Sequence, residues 1–101
     1  MNMQAMLKQV QKMQKDMTKA QEEINNTEFT ATNSLVTIVM TGNKKVKSVK
    51  INAEELDKDD VEMLEDMILV ATNDVLSQIE KVTEEKMGAF TKGMPSIPGL
   101  F

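Results

Sequence analysis

Lys8, Lys12, Lys15 and Lys19 repeat at spacings of 4, 3 and 4, and Lys44, Lys45, Lys47 and Lys50 crowd into the stretch TGNKKVKSVKIN that runs from Thr41 to Asn52. Residues three and four apart share one face of a helix, so the first set makes a ridge with an ammonium on nearly every turn. Like charges at that separation oppose helix formation by roughly 0.2–0.5 kcal/mol per pair, which Asp16, between Lys12 and Lys19, offsets in part. A ridge of this kind suits a polyanion whose phosphates lie in a row. It also suits a solvated helix face, and the second set suits a solvated hairpin tip. Both pairs of readings stand at this point.

Other chemistry has little to work with. The chain has no histidine and no cysteine, so the usual general base, metal ligands and activated nucleophiles are missing, and no glycine-rich phosphate loop or dinucleotide motif occurs. No catalytic residue, cofactor or small-molecule substrate is expected. Asp57, Asp59, Asp60 and Glu62 open like a calcium loop, but Glu62 stands at the sixth position and Ile68 at the twelfth, where glycine and glutamate are needed. No metal site is expected. These acids instead suit the positive end of a helix dipole.

The formal net charge is −4, but it is unevenly placed: residues 1–50 hold eight lysines against four carboxylates, and residues 51–101 hold four lysines against twelve. Such asymmetry points to a nucleic-acid or membrane-surface partner. No window approaches the ~18 apolar residues of a membrane span, and the N-terminus lacks the apolar run of a signal peptide. With no cysteine as well, a cytoplasmic location is expected.

The elements that must position the lysines follow from periodicity. Met3, Met6, Val10, Met13, Met17, Ala20 and Ile24 form a heptad seam opposite the lysine ridge, predicting a helix from about Met3 to Asn25 with Asn2 as N-cap. Phe29 and Ala31, then Val36, Ile38 and Met40, then Val49 and Ile51 alternate as strands do. A turn at Asn33-Ser34 sets Ala31 opposite Val36. A four-residue loop, Gly42 to Lys45, sets Val49 opposite Ile38 and Ile51 opposite Val36, with Lys47 at the rim beside Met40 and Lys50 on the other face.

A second long helix is expected from Asp57, as N-cap, to a stop at Gly88. Between Met63 and Leu76 it is apolar nearly all round, more than one three-stranded sheet covers, so a homodimer is expected with Leu64, Met67, Ile68, Ala71 and Val75 at its interface. Residues 1–93 read as one domain and residues 94–101, which hold both prolines, as a flexible C-terminal tail.

MLKQVQKMQKDMTKAQEEI at 6–24, LVTIVMTGNKKVKSVKI at 35–51, VEMLEDMILVATNDVLSQIEKVTEEKM at 61–87 and the terminal GMPSIPGLF resemble the YbaB/EbfC family of nucleoid-associated proteins over essentially the whole chain. The resemblance implies an α+β fold, αβββα, dimerising through its sheets with the helices projecting like tweezers. It also implies binding of double-stranded DNA with little sequence preference, in the nucleoid. Relatives commonly carry two consecutive arginines on the third strand, where Lys47 and Ser48 stand; this chain has no arginine at all. Lysine is a point charge rather than a bidentate fork, so phosphate contact is favoured over base reading. The other function the sequence admits is a protein-protein interaction module that uses the acidic long helix or the apolar tail.

Overall fold

The computed structural model describes residues 2–91; the tail assigned to 94–101 lies outside the described residues. The chain runs through α1 (Met3–Asn26), β1 (Glu28–Asn33), β2 (Val36–Thr41), β3 (Val46–Ile51), one 3-10 turn (Lys58–Asp60) and α2 (Val61–Thr91), the αβββα order that the periodicities predict. α1 starts where the sequence places it. The Asn2 side chain accepts from the backbone N–H of Gln4 at 3.1 Å and so satisfies one of the donors left open at a helix N-terminus.

The three strands form an antiparallel sheet in the order β1-β2-β3. Ile38 pairs with Val49 and Val36 with Ile51, as the buried face requires. The first turn and the pairing at Met40 differ from expectation. The first falls one residue later, at Ser34-Leu35, so that Ala31 stands opposite Ile38 rather than Val36 and Phe29 opposite Met40. Ser34 takes φ 53°, the left-handed value that a two-residue hairpin needs at its first central position. The face assignments survive because the shift is two residues along the partner strand.

The second connection spans Gly42 to Lys45 as expected, braced by Lys44 N–H to Thr41 C=O at 2.8 Å and Thr41 N–H to Lys45 C=O at 2.9 Å, with Lys44 left-handed at φ 65°. A bulge between Val39 and Met40 then sets Val46, not Lys47, opposite Met40. Lys47 is the extra residue, and beyond it the expected pairing resumes.

α2 crosses β1 and β2. Its i, i+4 ridge of Met67, Ala71, Val75 and Ile79 packs on Phe29 and Ala31 of β1 and on Val36, Ile38 and Met40 of β2. Each fully buried aliphatic side chain here contributes about 1.5–3 kcal/mol. Gln78 anchors one flank of the helix, its side-chain amide donating to the Thr30 carbonyl at 3.1 Å. The helix does not stop at Gly88 but continues to Thr91. A glycine inside a helix costs about 1 kcal/mol relative to alanine, which is a weakness rather than a terminator. Two residues beyond Gly88, Phe90 shares a groove with Gln9, Lys12, Met13 and Asp16.

Met87 shares a second groove with Met17, Gln21 and Asn25, so α1 and α2 run antiparallel along the inner half of the seam. Ile24 is fully buried and Met13, Met17 and Ala20 are half-buried, whereas Met3, Met6 and Val10 are exposed. The result is an elongated molecule, 71 Å by 22 Å by 16 Å.

Candidate nucleic-acid interface

All four α1 lysines are exposed, and among the described residues none of them forms an ion pair with a carboxylate. At about 100° per residue the row lies roughly 150° round α1 from Ile24. Ile24 touches the hairpin tip at Gly42, so the row faces away from that tip. One chain therefore does not bring the two lysine sets onto a continuous face.

The hairpin set is divided again. Lys44 and Lys45 sit at the loop, Lys50 stands opposite Thr37 on the sheet face turned away from α2, and Lys47 forms an ion pair with Glu28 from its bulge. Both partners of that pair are largely exposed, so it is worth about 0–1 kcal/mol and is readily exchanged for a phosphate. The outer face around these lysines is hydroxyl-rich: the side chains of Thr32 and Thr37 share a hydrogen bond of 3.0 Å across β1 and β2.

The residues expected to meet a second chain are placed differently. Met67, Ala71 and Val75 are buried in the chain's own core, and Leu64 and Ile68 are half-buried beside it. The first three thus have little surface left for a partner. The reason is that the i, i+4 ridge of an all-round apolar helix is indistinguishable by spacing from its flanks, and the sheet takes the ridge.

Part of the apolar surface that remains lies on β3, where Val46, Val49 and Ile51 are 55%, 51% and 38% exposed. Their partners Met40, Ile38 and Val36 are buried under α2, so these three point to the same side of the sheet, just beyond the helix. Leu69 and Val70 of α2 are exposed as well. The missed signal was the three-residue spacing of Val46 and Val49, which puts two apolar residues on one face of a strand only across a bulge.

An elongated αβββα chain with a lysine-lined first helix and an open apolar sheet edge defines a small α+β class. The sequence model of the YbaB/EbfC DNA-binding family matches residues 1–94, and the chain belongs to that family. It is 54% identical over 97 residues to a nucleoid-associated protein of Lactococcus lactis subsp. cremoris, spanning 94% of this chain and 98% of that one. To a nucleoid-associated protein of Enterococcus faecalis it is 53% identical over 96 residues, 93% of this chain and 92% of that one. The crystal structure of HP0035, an uncharacterized protein from Helicobacter pylori, superposes with a TM-score of 0.71 at 19% identity, over 91% of this chain and 97% of that one, which establishes the shared fold.

Proposed function

We propose that the protein is a homodimer that coats duplex DNA in the bacterial nucleoid, meeting phosphates with the lysines of α1 and of the hairpin and reading little sequence. The observation that carries this is the α1 ridge: four exposed lysines on one face, in no ion pair among the described residues, in a chain of a DNA-binding family. Lysine ammonium groups with no arginine fork favour phosphate over base edges. Dimerisation is supported by Val46, Val49 and Ile51, a row of half-exposed apolar side chains on an edge strand that a second copy would cover. A dimer doubles both lysine sets, enough in principle for the 6–10 phosphate contacts that cost about 10³–10⁵ in affinity between roughly 50 and 200 mM salt.

The test reverses Lys8, Lys12, Lys15 and Lys19 to Glu in one variant and Lys44, Lys45, Lys47 and Lys50 to Glu in another. The salt slope of each is then measured with unrelated duplexes. Loss of affinity in both, with a shallower slope and no change in preference among duplexes, is the expected result. Folded variants that bind as the parent does would leave these lysines as a solvated surface only, and the proposal would fall.

A further inference from the structure

The pairing of α1 with α2 is built on thioethers. Met13 and Met17 of the α1 seam are half-buried, as is Met87 of α2, and the two grooves between the helices hold Met13 with Phe90 and Met17 with Met87. The other described methionines stand elsewhere: Met3, Met6 and Met63 are exposed, and Met40 and Met67 are buried in the core. Among the described residues no side-chain hydrogen bond or ion pair crosses from α1 to α2; those of α1 stay within the helix or at its ends, and Gln78 ties α2 to β1 instead. Outward of Ile24 the described contact between the two helices is therefore apolar, with three methionines in it.

We propose that Met13, Met17 and Met87 are a modification site, at which oxidation by a peroxide to the sulfoxide unlatches the outer part of α1 from α2. The sulfur lone pair attacks one peroxide oxygen; an S–O bond forms, the O–O bond breaks, and the departing hydroxide takes the proton left on the transferred oxygen. Thioether and hydrogen peroxide thus become sulfoxide and water, and a dithiol reductant reverses the change, releasing water and a disulfide. A sulfoxide is a strong acceptor, and burying it without a donor is costly. Met13, Met17, Ala20, Met87 and Phe90 offer it none. Donors stand at the edges of the grooves, in Lys12 and Asn25, so a sulfoxide satisfied by them or by water has left the seam. The inner end of α1 stays seated, because Ile24 is fully buried and lies against Gly42. Lys8, Lys12, Lys15 and Lys19 ride on the released part, so a row held in one position becomes a mobile one and duplex affinity falls. That consequence rests on the DNA reading; the unlatching does not.

The full-length protein is treated with hydrogen peroxide without DNA, sulfoxides are located by peptide mass spectrometry, and amide hydrogen exchange follows the helices. Met13, Met17 and Met87 are expected to react after Met3, Met6 and Met63 but before Met40 and Met67. As they react, amides of α1 from Lys8 to Lys19 should exchange about tenfold faster while those of β2 stay protected, and a sulfoxide reductase with a dithiol should restore the slow rate. A Met13→Leu, Met17→Leu, Met87→Leu variant keeps an apolar seam of similar volume and should hold the slow rate in peroxide. A Met3→Leu, Met6→Leu, Met63→Leu variant should respond as the parent does. Sulfoxides at the three seam positions with unchanged α1 exchange would overturn the proposal. So would reaction of those positions only together with Met40 and Met67, which marks global unfolding, or an α1 that still opens in the seam variant. Duplex affinity measured on the same oxidised sample separates the two readings: an opened α1 with unaltered affinity leaves the modification site standing and counts against the lysine ridge.

Discussion

Gly42 lies against the last turn of α1 so closely that a Cβ built on it would stand 1.9 Å from the Ile24 carbonyl oxygen and 2.9 Å from the Ile24 Cγ2. The hairpin loop is thereby seated on the helix. Gly42 N–H donates to the Thr27 carbonyl at 3.0 Å, and Thr27 N–H to the Ile24 carbonyl at 3.0 Å, which closes the helix end and the loop into one unit. The need for glycine here is one of space.

Gly42→Ala is therefore expected to destabilise by about 2–3 kcal/mol, since the opposing atoms are backbone and cannot swing aside. For a chain of this size that lowers the melting midpoint by roughly 10 °C or more. Thermal denaturation followed by circular dichroism checks it; a midpoint within a few degrees of the parent would mean that the helix end and the loop separate at little cost.

Val49→Asp tests the dimer at a residue that the single chain leaves half exposed. In an isolated chain the carboxylate stays hydrated and the fold survives. Buried at an interface without a partner charge, it costs several kcal/mol. Light scattering at micromolar concentration is expected to give twice the chain mass for the parent and a folded single chain for the variant. Ile68→Asp, closer to the core, should unfold the protein as well as dissociate it.

The legible parts were those set by burial. The seam of α1 and the inner pairing of β2 with β3 follow from apolar spacing, and the Asn2 cap from a side chain that can accept from the first turn of a helix. What escaped were features in which local backbone conformation decides: Ser34 and Lys44 in left-handed geometry, and the bulge at Lys47. Neither serine nor lysine is a strong signal for positive φ, so residue type alone did not locate these turns. The lysines themselves were visible in the sequence. Their division between two faces was not, since that depends on which side of α1 the hairpin docks.

Glu28 holds Lys47 in an exposed ion pair. Glu28→Gln frees the ammonium and removes a nearby negative charge, so duplex affinity at low salt is expected to rise about twofold to fivefold, with stability changed by less than about 1 kcal/mol. Fluorescence anisotropy against salt concentration measures it, and the gain should vanish at high salt as screening shortens the range of the field.

Lys44 occupies the left-handed position of the hairpin loop at φ 65°, where an L-residue with a side chain is disfavoured by about 1–2 kcal/mol. Glycine removes that strain but loses more entropy on folding, so Lys44→Gly should stabilise the fold by about 0.5–1 kcal/mol net, a shift of a few degrees. It also removes a charge from the loop. If Lys44 meets phosphate, the slope of log affinity against log salt should become shallower by on the order of 1 per chain. Lys44→Ala separates the two effects, because it deletes the charge and keeps the strained backbone. Alanine is expected to weaken DNA binding as glycine does, with no rise in melting midpoint. A glycine variant that is more stable and binds DNA with the parent's salt slope would show that Lys44 is held in a strained conformation for some purpose other than DNA.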